Sequence, residues 1–190
     1  MRSPLPHEYA IKEQDLKTKG SVSSVSPTLG AKEPVRGESR SAAPFSAAPL
    51  PDDSSLLAKI TPGMAPQRVM SLRLTEEGRK LLDGGDITKA LSRFERTIVV
   101  DSTNAYGYFY LAKAQYRLGR YKESLNFLDV AESRLSSEPF WLAEVHALRG
   151  ENFRALGMTQ KAEASYNQAL LLNSGNRTAK EAMSEVQGEK

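Results

Sequence analysis

Three glycines, Gly85, Gly119 and Gly157, each close a helix-like pattern, and they stand 34 and 38 residues apart. Around each of them the same residue sizes recur. Seven positions earlier stands Gly78, Ala112 or Gly150; five positions later a small residue, Ala90, Ser124 or Ala162; nine later a bulky one, Phe94, Leu128 or Tyr166; and twelve later Thr97, Ala131 or Ala169. Such a period constrains the chain strongly, because each unit can bury its apolar surface only against its neighbours. The residue types fit that demand: a slim side chain lets two helix backbones approach, and a large one fills the groove between them. The glycine supplies the positive φ that ends a helix. Asp86 is placed to cap a helix from Ile87 to Val100, and Asn104 or Thr103 to cap the next. The reading is all-α, each unit being two antiparallel helices of about 12 to 16 residues.

Over roughly residues 69 to 174 these features resemble the tetratricopeptide repeat family. The resemblance rests on Gly78, Leu81, Gly85, Ala90 and Phe94 in the first unit, on Leu111, Ala112, Gly119, Tyr121 and Ala131 in the second, and on Gly150, Phe153, Gly157, Ala162, Tyr166 and Ala169 in the third. It implies a helical superhelix of three units, about 69–103, 104–140 and 141–175, within a domain spanning 67–175. The chain departs from the pattern at Gln115, in a slot usually aromatic, at Ser124, in one usually Ala, and by four extra residues near Leu135 to Phe140. Residues 176–190, with Ala179, Ala182, Met183 and Val186 on one side, read as a capping helix over the last apolar face.

The N-terminal third belongs to a different regime. Nine of the ten prolines lie in residues 1–66, and twelve aromatic residues lie beyond position 68. Residues 1–66 read as a disordered Ser/Pro/Ala-rich tail or tether, too poor in apolar surface to offset its ordering entropy. One island differs. Asp52 to Ile60 places capping residues ahead of Leu56, Leu57 and Ile60, as if on one face of a short docking helix.

Composition excludes several chemistries. Without cysteine there are no disulfides, no thiolate catalysis and no sulfur-ligated zinc, and His7 and His146 are too far apart in sequence to suggest a histidine cage. The net charge of +3 is spread thinly, so nucleic acid is not an expected partner. No apolar run approaches the roughly 18 to 20 residues of a membrane span, and no secretory pattern opens the chain. The cytoplasm is the default location; a Pro/Ser-rich tether ahead of repeats also suits a cell-envelope protein whose export signal is missing from this copy. Phosphate-loop, nucleophile-elbow and metalloprotease motifs are absent. Gly84-Gly85-Asp86 is explained by the repeat turn, His146 by packing, and Glu144 with Glu151 by a solvated helix face. No cofactor or metal site and no enzymatic activity are expected.

The candidate surface is the one the repeat does not need for its own core. In the second unit Tyr106, Phe109, Lys113 and Tyr116 share one helical stripe, with Tyr110 and Arg117 beside it; Arg79 from the first unit and Glu151 and Arg154 from the third extend it. The resemblance puts such residues on the concave side, where a peptide lies, and aromatic anchors beside arginine tend to dominate binding energy. The expected function is a non-enzymatic interaction module or scaffold that binds a peptide segment of another protein. A regulatory alternative has Leu56, Leu57 and Ile60 folding back to occlude the groove in cis. A competing reading of the aromatic cluster is packing between units, with Tyr116 turning inward for Gln115.

Overall fold

The computed structural model of the chain describes residues 49–188, so the tail reading for residues 1–48 lies outside the described residues. Among the described residues there are seven α-helices and no strand: α1 (Pro66–Asp83), α2 (Ile87–Val100), α3 (Ala105–Arg117), α4 (Tyr121–Leu135), α5 (Pro139–Ala155), α6 (Thr159–Leu172) and α7 (Arg177–Gly188). A 3-10 turn, Leu57–Lys59, precedes them. No described helix is long and apolar enough to cross a membrane.

Each pair turns on one of the three repeat glycines, whose φ angles are 85, 73 and 73°. The bonds at the three turns are the same. The glycine N–H donates to the carbonyl three residues back (Leu82, Tyr116, Arg154), and the next N–H donates to the carbonyl five back (Leu81, Gln115, Phe153), all at 2.8 to 3.1 Å. This pairing satisfies carbonyls that a helix end leaves open, and it needs a left-handed residue. Asp86 caps α2 by accepting from Lys89 N–H at 3.3 Å, and Asn104 caps α3 by accepting from Gly107 N–H at 3.2 Å. Asn176 does the same for α7, accepting from Ala179 N–H at 2.9 Å.

The slim and bulky positions meet as the period requires. A methyl built on Gly78 would stand 2.4 Å from Phe94 Cε1, and one on Gly150 2.4 Å from Tyr166 Cε1. In the middle unit Ala112 and Leu128, the equivalents of those pairs, are both fully buried. Successive odd-numbered helices touch one another, whereas even-numbered helices touch only odd ones. The odd helices therefore lie closer together and form the inner side of a curved stack.

The four extra residues have a simple outcome. Helix α5 has 17 residues and α3 has 13, so the insertion adds about one turn to the start of α5 and leaves the helix faces in phase. The capping role of the last helix is seen in its contacts: Ala179 and Ala182 are buried with Ala147, Ala162, Tyr166 and Ala169. Asn176 Nδ2 donates to Glu144 Oε1 on α5 at 2.6 Å.

Candidate functional site

The inner face is not bare. Residues 49–60, which the sequence assigned to the tail, cross it as a strap running from the α6–α7 loop toward α1. At the start of the strap, Leu50 N–H donates to Asn173 Oδ1 at 3.0 Å, and Pro49 packs so near Gly175 that a Cβ there would stand 2.7 Å from Pro49 Cβ. Farther on, the indole Nε1 of Trp141 donates to the Asp53 carbonyl at 3.2 Å. Leu56 is fully buried in one cluster with Leu72, Tyr106, Phe109 and Trp141. Lys59 Nζ lies 2.6 Å from Asp53 Oδ2, 3.2 Å from Glu138 Oε2 and 5.3 Å from the centre of the Tyr106 ring. Burial would lower the Lys59 pKa, but the hydrogen bond it donates to Asp53, with Tyr106 and Glu138 adding, raises it well above the ordinary range.

The expected short helix of Leu56, Leu57 and Ile60 does not form. Only a three-residue 3-10 turn is present, and consecutive residues of such a turn point about 120° apart. Leu56 is buried while Leu57 is 46% exposed.

The candidate residues divide into two groups. Tyr106, Phe109 and Tyr110 are only 4, 3 and 5% exposed. They are not an open aromatic wall. Their rings pack edge-on or tilted against Trp141 at 4.9, 5.6 and 6.1 Å, so the first turn of α5 closes over them. Tyr106 OH donates to Glu138 at 2.7 Å, and burial followed by that bond pushes its pKa up to about 12. Tyr110 stacks on Phe94 at 5.6 Å, and its phenol is raised further, chiefly by burial.

The second group surrounds an open cleft of about 170 Å³ between α3, α5 and α7, to which Phe109, Lys113, Tyr116, Arg117, Glu144 and Glu151 contribute. Tyr116 turns inward far enough to donate to Glu151 Oε2 at 3.1 Å. Glu151 also accepts from Tyr166 OH at 2.6 Å and pairs with Arg154 at 3.0 Å, and Arg154 reaches Glu185 at 2.8 Å. Glu151 and Arg154 are thus committed to joining α5, α6 and α7. Arg79 stands apart, bonded to Glu76 at 3.0 Å and lining a cleft of about 220 Å³ with Ser54 of the strap, Tyr110 and Lys113. Arg117 is exposed.

Glu144 and Glu151 are half-buried and hydrogen-bonded, contrary to the solvated-face reading, because α7 and Tyr166 lean over them. Burial raises the Glu144 pKa, opposed by Lys113 and by the Asn176 amide. His146 is half-buried, 3.7 Å from Glu132, and burial lowers its pKa. No group of acidic or histidine side chains among the described residues is arranged to hold a metal ion.

Sequence reasoning missed Glu138, Trp141 and Asn173. Glu138 carries the one available signal. It follows Gly119 by 19 positions, as Asn104 follows Gly85 and Asn176 follows Gly157, and it breaks that series of capping asparagines. Its side chain makes no cap bond to α5.

No protein-family model and no curated protein matches the sequence. Solved structures do. The Arabidopsis OM64 tetratricopeptide-repeat domain superposes with a TM-score of 0.57 at 22% identity, covering 64% of this chain and 97% of that one. The second such domain of human RPAP3, in complex with an HSP70 peptide, gives 0.55 at 22% identity, covering 64% and 98%. The first such domain of Spaghetti (RPAP3), bound to an HSP90 peptide, gives 0.56 at 21% identity, covering 63% and 92%. The chain has the tetratricopeptide-repeat fold.

Proposed function

We propose that this chain is a non-enzymatic interaction module that takes a peptide segment of a partner protein on its inner face, and that its own strap occupies that face in cis until a partner displaces it. The observation that carries the reading is the strap itself. One fully buried leucine, one paired lysine and main-chain bonds to Trp141 and Asn173 are the contacts a groove makes with a bound peptide. The RPAP3 domains of like fold, bound to HSP90 and HSP70 peptides, support a peptide as the ligand class.

The curved stack is rigid, so it removes part of the ordering cost of a bound segment. The strap is tethered to α1 by the short connection from Ile60 to Ala65, which gives it an effective concentration of about millimolar. A partner must compete with that. In the test, the full chain and a Leu56→Asp chain are compared for affinity toward partners captured from native extract. The variant is expected to bind at least tenfold more tightly; equal affinities would exclude self-occlusion, and no saturable binding by either chain would remove the groove as a docking surface.

A further inference from the structure

We infer that the strap is the template of the ligand: the partner segment displacing it carries an acidic residue, a leucine three positions later and a lysine three positions after that, in a stretch with no helix beyond a single 3-10 turn. This rests on the reading that a partner occupies the inner face, and adds what that partner must contain.

The groove reads the strap unevenly. Leu56 is fully buried, its neighbour Leu57 is 46% exposed, and Ala58 is exposed. Leu56 is therefore the strap side chain the groove encloses completely, with Ile60 partly buried against the same cluster. The hydrogen bonds that the Trp141 indole and the Asn173 carboxamide make to the strap go to its main chain, at the Asp53 carbonyl and the Leu50 N–H, and so do not depend on the identity of those side chains, proline at position 50 excepted.

The lysine site is built from residues the repeat does not require. Asn104 and Asn176 cap α3 and α7 with their side chains, whereas Glu138, at the equivalent position of α5, leaves its helix uncapped. Its carboxylate instead faces Tyr106 OH at 2.7 Å and Lys59 Nζ at 3.2 Å, with the Tyr106 ring beside the ammonium group. Helices α1, α4 and α6 also lack a side-chain cap, so what sets Glu138 apart is where its carboxylate points. Asp53 completes the pattern by pairing with Lys59 within the strap, which sets the acid six positions before the base.

The test uses a fluorescein-labelled peptide with the sequence of residues 49–61 and the full chain carrying Leu56→Asp, whose own strap has lost its anchor. Circular dichroism checks that the helices remain. The full chain carrying Lys59→Glu, whose strap is repelled by Glu138, serves as a second host if the first does not fold. Saturable binding is expected, at least tenfold tighter than to the unsubstituted chain. A Leu56→Asp or Lys59→Glu peptide should lose at least tenfold, a Leu57→Ser peptide should bind within about twofold of the parent, and adding E138K to the Leu56→Asp host, or to the otherwise unsubstituted chain if that host does not fold, should restore the Lys59→Glu peptide. Equal binding of all peptides, or no recovery with E138K, would overturn the inference. A folded host that binds a captured partner but not the strap peptide defeats the template alone; one that binds neither defeats the peptide-binding reading as well.

Discussion

Replacing Gly78 with alanine sets a methyl carbon 2.4, 2.7 and 2.9 Å from three ring carbons of Phe94, all shorter than carbon atoms tolerate. The ring has nowhere to go, because Phe94 is fully buried and stacked on Tyr110 at 5.6 Å. Alanine favours the helix by about 1 kcal/mol over glycine, and overpacking a core costs about 1 to 3 kcal/mol. Contact this close puts the cost at the upper end, so the single variant should lose about 1 to 2 kcal/mol. Phe94→Leu alone should lose about 1 to 3 kcal/mol through the cavity it leaves. Together the two changes reproduce the pair that the middle unit already uses, Ala112 with Leu128, both fully buried. The methyl then fills space the ring has vacated, and about 2 kcal/mol of the summed loss should return. Urea denaturation followed by circular dichroism measures all three variants and closes the double-mutant cycle. If the losses add to within about 0.5 kcal/mol, the two positions are independent, and the slim-and-bulky account of helix approach is wrong.

Three further outcomes follow from buried groups. Gln115 is 8% exposed with no hydrogen-bond partner for Oε1, so Gln115→Met should stabilise the chain by about 1 kcal/mol in the same urea assay. Glu144 is held above its ordinary value of 4.5, so the folded chain binds that proton more tightly than the unfolded one. Its contribution is fully present below about pH 4.5 and is lost as pH rises through the raised folded value. Glu144→Gln should therefore be more stable than the parent at pH 7, with the gap closing on acidification; a gap independent of pH would refute the assignment. Removing residues 176–190 uncovers the cluster that Ala179 and Ala182 help to close, and should lower the melting temperature by about 5 to 10 °C in calorimetry.

What the sequence made legible is what recurs. Gly85, Gly119 and Gly157 mark the turns because only a left-handed residue completes the paired carbonyl bonds there, and Gly78 with Phe94 follows from backbone approach at a fixed offset. The strap does not recur. Leu50 meets Asn173 across 123 residues of chain, and no local period encodes such a contact. Trp141 and Glu138 lie in or beside the inserted turn, where neighbouring units offer no template. Helical spacing put Tyr106, Phe109 and Lys113 on one stripe of α3, but it says nothing about what covers that stripe; the extra turn of α5 and Leu56 do so for the first two. Tyr116 and Glu151 were visible as residues of one surface, yet their shared hydrogen bond depends on the register between α3 and α5.

Tyr106, Phe109, Tyr110 and Trp141 form an apolar cluster that would favour self-association if left uncovered. The strap covers it with contacts that are individually modest. Set against them is the entropy of ordering residues 49–60. The helix pairs, by contrast, are held by the fully buried contacts of Phe94, Leu128 and Tyr166. The contacts of the strap are therefore weaker than those holding the helix pairs, and a segment held so opens at a lower free energy than the helices unfold. On the proposed reading this separation makes the module selective. A ligand gains nothing by disturbing the helices; it must outdo a tethered competitor at the leucine and lysine sites, and a segment matching only the main-chain bonds stays below the strap's effective concentration.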